Sequence, residues 1–181
     1  HTQTYGRDHQ DNPIVPSPFH LFADASGYTA IDDGYSIGGY CLTLYGTIIG
    51  WKSRRQSIRA TSTCEAEYVA IADAVAWAEV WDYTTFFLWS YSSRPTNLGG
   101  LPEATWIWTD SMSARDIALS DMNRPKTRWL AIRWYIVKDH RMRLCYCSTG
   151  LQRADALTKA PTPSGVSAIL TKYGTCPIDR L

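Results

Sequence analysis

The stretch "YSIGGYCLTLYGTIIGWKS", residues 35 to 53, followed within ten residues by a long helical pattern, most narrows what this chain can fold into. It reads as two β-rich runs hinged at Tyr45-Gly46-Thr47, an antiparallel hairpin. The basic run "KSRRQSIR" then leads into a helix expected from Thr63 to Trp89, in which Ile71, Val75, Ala78, Trp81 and Thr85 recur at helical spacing.

The rest of the chain extends that frame. "FHLFAD" (19–24) is a short strand ahead of the hairpin, and the Gly/Asp/Ser-rich residues 26 to 34 form a turn. After a loop, "TWIWTD" is another strand, and a short helix is expected over 113–120. Pro125 stops any continuation through "SDMNRPK". Residues 128 to 141 read as a second long helix with Leu130, Trp134, Val137 and Arg141 on one side; "RLCYCS" is a strand and "RADALTK" a short helix. The order is three strands, helix, strand, two helices, strand, helix: an α/β fold with a five-stranded mixed sheet, antiparallel hairpin first, flanked by helices. Residues 1–18, polar and Pro-rich, read as an irregular lead-in, 19–160 as the domain and 161–181 as a tail.

Bulk properties exclude little. With 45% hydrophobic and 19% charged residues, the chain reads as globular and soluble. Eighteen basic and 17 acidic residues leave the net charge uninformative, so a nucleic-acid role must rest on local patches. The longest apolar run, Val69 to Trp81, is broken by Asp73 and Glu79, and no signal peptide precedes the first residues, so no membrane association is expected. Five cysteines without a CxxC pair read as reduced thiols used for packing, which suits an intracellular compartment.

Carboxylates stand at element ends. Asp24 ends the first strand, Asp110 ends the fourth, and Asp155 opens the last helix. At the start of the long helix the choice lies between Glu65 and Glu67, about 200° apart around the axis, so both cannot face one site. Ser62 followed by Glu65 is a capping-box pattern, giving Glu65 a local task. Glu67 lies one turn ahead of Ile71 and shares its sheet-packed face, where a carboxylate needs a cation. Each Asp taken alone is common for turn and helix-dipole reasons. Four converging at one sheet edge would demand neutralisation, which a hard divalent cation such as Mg²⁺ supplies.

The segments "ADAS", "IIGWKSRRQ", "STCEAEYVAIADA", "WTDSMSARDIAL", "KTRWLAIRWYIVKD" and "QRADALTK" together resemble type 1 ribonuclease H, specifically the ribonuclease H domain of copia-type LTR retrotransposon polyproteins. The resemblance covers roughly residues 20 to 160. It implies a ribonuclease H-like fold, and it places the acidic set on Asp24, Glu67, Asp110 and Asp155 as catalytic and metal-binding residues. It implies hydrolysis of the RNA strand of an RNA/DNA hybrid with two Mg²⁺ ions, Mn²⁺ being an alternative, and a reverse transcriptase domain in a parent polyprotein. The setting it implies is cytoplasmic, or within retrotransposon particles. The chain departs from cellular members in lacking a His in "STGLQR" before Asp155, and at Thr127-Arg128-Trp129-Leu130, where a family His is lost.

Around the acidic set, Ser26, Gly27, Lys52, Ser53, Arg54, Arg55, Gln56, Ser62, Thr63 and Cys64 are expected to contact the sugar-phosphate backbone. Arg128, Arg133, Lys138, Arg141 and Arg143 read as an exposed helix face. Trp77, Trp81, Trp89, Trp106 and Trp108 read as core, and His20 and His140 as structural. Three other readings compete. An integrase or transposase of the DDE type carries its Glu last, whereas here Glu67 falls between the first two Asp residues. A Ca²⁺ loop at "DASGYTAIDDG" fails on spacing, because its twelfth position, Tyr35, is not Glu. The third is a domesticated or decayed domain kept as a non-catalytic binding or scaffold module.

Overall fold

The computed structural model describes residues 19–26, 34–44, 46–91, 106–120 and 143–159. The expected lead-in, the helix over 128–141 with its basic residues up to Arg141, His140 and the tail lie outside the described residues, while Arg143, expected on that helix face, instead opens a strand. Three strands come first: β1 (Phe19–Ala25), β2 (Ile37–Leu44) and β3 (Thr47–Arg55). Helix α1 (Thr63–Tyr91), β4 (Trp106–Thr109), α2 (Met112–Leu119), β5 (Arg143–Tyr146) and α3 (Asp155–Thr158) follow.

The sheet has five strands in the order β3-β2-β1-β4-β5. β1, β2 and β3 pair antiparallel, while β1–β4 and β4–β5 pair parallel, as a mixed sheet requires. Gly46 turns the hairpin at φ +85°, a conformation that costs glycine nothing because it has no Cβ. A bulge between Leu42 and Thr43 shifts the β2–β3 register.

Alternation along the strands sorts side chains to two faces. Leu21, Ala23, Tyr40 and Leu42 join the main core beneath α1, with Tyr68, Ile71, Val75, Ile107 and Leu144. Phe22, Cys41 and Ala154 form a smaller cluster on the opposite face, with Trp108 and Leu157 packed against it. The sheet is therefore covered on both sides, by α1 and α2 on one and by α3 on the other.

Helix α1 buries Ile71, Val75 and Ala78 and packs Trp81 on the core, as their helical spacing predicts, but it is not one-sided throughout. Every residue from Glu65 to Ala72 is buried, so this stretch is enclosed all round. A one-sided pattern appears only later, where Ala76 and Val80 are exposed. The reason lies in what surrounds it: β1, β2, β4 and α2 all pack against α1. Ala66 and Ala70 meet Ala25 and Ala60 in a cluster of small side chains, which lets the first turns lie close to the end of β1. Of the tryptophans, Trp106 is buried and Trp77 and Trp81 pack on the core. Trp108 donates its indole N–H to His20 Nδ1 at 2.8 Å, so both side chains are held structurally. Cys41, Cys64, Cys145 and Cys147 are free thiols.

Candidate metal centre

Parallel pairing brings two of the carboxylates together. Phe22 of β1 pairs with Trp108 of β4, and their rings stack at 6.3 Å. Two residues further along each strand, on the same face, stand Asp24 and Asp110. Asp110 follows the last residue of β4, where the chain turns into α2. Ser111 caps that helix, its hydroxyl accepting from Ala114 N at 3.2 Å, so the chain leaves the sheet directly after the carboxylate.

Glu67 arrives from α1. Its Oε2 accepts the Ala25 backbone N–H at 3.1 Å, which ties the helix to the end of β1. Asp24, Glu67 and Asp110 each offer a carboxylate oxygen, and these oxygens lie within 4.8 Å of one another. Asp24 is 4% exposed and Glu67 7%, so two of the three are almost removed from water.

Glu65 is occupied elsewhere. Its Oε2 accepts the Thr61 N–H at 2.8 Å and the Thr61 hydroxyl, while Ser62 Oγ accepts Glu65 N at 3.2 Å. The cap is a displaced capping box, in which the carboxylate reaches the residue before the N-cap.

Asp155 lies outside the group of three. Its Oδ1 takes the ammonium of Lys159, one turn along α3, and its side chain is 23% exposed. Its charge still reaches the site, raising the pKa of Asp24 and Glu67. Local pairing along the helix accounts for the position, since Asp and Lys four residues apart meet on one face.

Burial and mutual repulsion set the protonation of this centre. Desolvation pushes Asp24 up to about 6, opposed by a hydrogen bond from Thr158 and supported by Asp110 and Asp155. Desolvation pushes Glu67 up to about 9, with Asp24, Asp110 and Asp155 adding to it and the Ala25 N–H opposing it. A cluster driven this far toward the neutral form is one that a cation would bring back to full charge. The donors are all carboxylate oxygens, with no nitrogen or sulfur among them, which suits Mg²⁺ or Mn²⁺.

The expected substrate contacts are dispersed. Lys52 and Arg54 pair with Tyr40 and Gly38 and so share the α1 face, whereas Ser53 and Arg55 point to the α3 face. Arg54 bonds Asp73 at 3.1 Å, and Arg55 lies over the Tyr35 ring at 3.7 Å. Ser53 Oγ donates to the Leu157 carbonyl at 2.6 Å. Gln56 is 1% exposed and its amide donates to the Ala66 carbonyl at 2.8 Å, so it props the start of α1. Ser26 is buried, its hydroxyl accepting Ile37 N at 2.8 Å, and Cys64 packs on the core. Thr63 is exposed at the helix start beside the N-cap Ser62. Gly27 lies outside the described residues.

Two residues at this edge went unnoticed in the sequence. Gln152 is fully buried; its amide donates to the Ala23 carbonyl at 2.8 Å, and its Oε1 accepts Ala154 N at 3.2 Å. It fastens the entry of α3 to β1. Thr158 donates its hydroxyl to Asp24 Oδ2. The only hint of either was position, within the "QRADALTK" block that carries Asp155.

No protein-family model matches the chain. It is 31% identical over 142 residues, 76% of its length, to the retrovirus-related Pol polyprotein from transposon TNT 1-94 of Nicotiana tabacum. It is 26% identical over 160 residues, 86% of its length, to that of transposon RE1 of Arabidopsis thaliana. It is 29% identical over 171 residues, 90% of its length, to the transposon Ty1-JR2 Gag-Pol polyprotein of Saccharomyces cerevisiae. The chain spans only about a tenth of these relatives, 10%, 10% and 9% of their lengths. Among solved structures, it is similar to the N-terminal RNase H domain of rv2228c from Mycobacterium tuberculosis, determined as a fusion with maltose binding protein. The TM-score is 0.53 at 14% identity, covering 84% of this chain and 96% of the other. Among the described residues, no helix is long and apolar enough to cross a membrane.

Proposed function

This chain has the ribonuclease H fold and belongs with a segment of the Pol polyproteins of copia-type retrotransposons, and on that premise we propose that it is a divalent-metal-dependent endonuclease hydrolysing the RNA strand of RNA/DNA hybrids. The observation that carries the reading is the gathering of Asp24, Glu67 and Asp110 at one sheet edge, two of them buried and pushed toward protonation. A structural role alone gives no reason to keep three carboxylates so close, because their repulsion opposes folding.

In this reading Asp24, Glu67 and Asp110 hold Mg²⁺, two ions by the family resemblance, with Mn²⁺ as a substitute. Such ions, when bound, lower the pKa of water and stabilise a leaving oxygen on a phosphate. The protein contributes position: β1 and β4 fix two carboxylates on one face, and the Ala25 N–H fixes the third. Asp155, which pairs with Lys159 outside the group of three, is the fourth member of the acidic set by the family resemblance. Lys52, Ser53, Arg54, Arg55, Ser62 and Thr63, all exposed, are the members of the expected contact set open to a sugar-phosphate backbone. Residues 19–160 form the functional unit, and a reverse transcriptase in the parent polyprotein is the partner that would share the hybrid.

The test is an end-labelled RNA presented as RNA/DNA hybrid, as single strand and as duplex RNA, with Mg²⁺, with EDTA and with Asp110→Asn. The reading expects cleavage of the hybrid alone, abolished by EDTA and by the variant. A folded protein that cuts no hybrid in Mg²⁺ or Mn²⁺ would overturn it in favour of the non-catalytic module.

A further inference from the structure

Among the contacts that seat helix α3 on the sheet are three made by its own residues to β1, β2 and β3, and one of them reaches the acidic centre. The first is Gly39, the β2 residue paired with Asp24. A Cβ there would lie 2.8 Å from Leu157 Cβ and 2.8 Å from Thr158 Cγ2, so the helix rests directly on the backbone of β2. The second is the hydrogen bond from Ser53 Oγ to the Leu157 carbonyl at 2.6 Å. The third is Thr158, 5% exposed, whose hydroxyl donates to Asp24 Oδ2.

A buried threonine in a helix commonly bonds a carbonyl of the preceding turn, and Thr158 has that option in the Asp155 carbonyl at 3.0 Å. Its hydroxyl has a single proton, however, and the ionised carboxylate of Asp24 is the stronger acceptor. The bond spans 134 positions of sequence, from the last described helix to the first strand. It occupies one oxygen of Asp24 from the side of α3. A carboxylate oxygen of Asp24 also lies within 4.8 Å of carboxylate oxygens of Glu67 and Asp110.

We propose that Thr158 is a positioning residue for metal binding: its hydroxyl fixes the orientation of the Asp24 carboxylate so that Asp24, Glu67 and Asp110 present their oxygens to one cation. The proposal rests on the metal-dependent reading of the centre given above. Partners that orient a ligand are worth about 10- to 100-fold in metal affinity. Removing the hydroxyl takes away the one side-chain hydrogen bond to the Asp24 carboxylate found among the described residues. Keeping the hydroxyl without the methyl group retains the anchor.

The experiment is a Mn²⁺ titration of the full chain, with free Mn²⁺ read by electron paramagnetic resonance. It compares wild type, Thr158→Val, Thr158→Ala, Thr158→Ser and Asp110→Asn, with near-ultraviolet circular dichroism to establish that each is folded. Thr158→Val and Thr158→Ala are expected to bind Mn²⁺ about tenfold or more weakly, and Thr158→Ser within about threefold of wild type. A purely structural threonine would give the opposite ranking, with Val the best tolerated. Should Val fail to fold, the Ala–Ser pair decides the same question. Val or Ala binding as tightly as wild type, or Ser as weak as Ala, would overturn the proposal. If wild type binds no better than Asp110→Asn, the metal centre itself is refuted, and this role of Thr158 with it.

Discussion

Raising the pH should weaken the metal-free protein, and the acidic centre sets the amount. Glu67 has its pKa raised from 4.5 to about 9, and Asp24 from 3.8 to about 6, in each case chiefly by desolvation. Each group holds its proton more tightly folded than unfolded. The folded state therefore binds more protons between the two values, and stability falls as pH rises. For Glu67 the contribution is whole below 4.5 and lost through about 9; for Asp24 it is whole below 3.8 and lost through about 6. One pKa unit corresponds to about 1.4 kcal/mol, so between pH 5 and pH 8 Glu67 alone removes about 4 kcal/mol and Asp24 about 1. That is a large share of the roughly 5–15 kcal/mol that holds a domain together. At about 2–4 °C per kcal/mol for a chain of this size, half the loss would still lower Tm by about 5–10 °C. The assay is thermal melting in EDTA across pH 5 to 8, for wild type and Glu67→Gln. The variant lacks the titrating group, so its Tm should fall much less. Mg²⁺ added at pH 8 should raise the wild-type Tm and leave the variant nearly unmoved. Parallel pH profiles for the two proteins would refute the reasoning.

Other perturbations separate the roles of neighbouring residues. Glu65→Ala should lose the helix cap and about 1 kcal/mol of stability, read by urea unfolding, while Mn²⁺ affinity stays within about twofold. Gly39→Ala should cost about 1–3 kcal/mol and loosen α3, because the added Cβ meets Leu157 and Thr158 at 2.8 Å; an unchanged urea midpoint would contradict that seat. Ser111→Ala should cost about 1 kcal/mol through the start of α2, measurable in the same unfolding assay.

The order of elements was legible because hydrophobic period and turn residues agree along most of the chain. The hairpin about Gly46 and the helix from Thr63 both follow from local pattern. The division between Glu65 and Glu67 was legible too, since capping and helix rotation are local physics. What escaped was tertiary. The enclosure of Glu65 to Ala72 depends on α2 and on β4, which no helical period within α1 can reveal. "KSRRQ" reads as one basic patch, yet strand alternation sends Lys52 and Arg54 to one face and Ser53 and Arg55 to the other, and buries Gln56. Asp155 looks equivalent to the other three carboxylates until the turn of α3 brings Lys159 against it. Thr158 and Gln152 act on β1 across more than a hundred residues, a distance over which sequence spacing has no meaning.

The central claim is that Asp24, Glu67 and Asp110 form one divalent-metal site, and crystals soaked in Mn²⁺ test it most directly. The account predicts an anomalous scattering peak in contact with carboxylate oxygens of all three residues, lost in Asp110→Asn crystals. A peak elsewhere, or none at this sheet edge at saturating Mn²⁺, would contradict it.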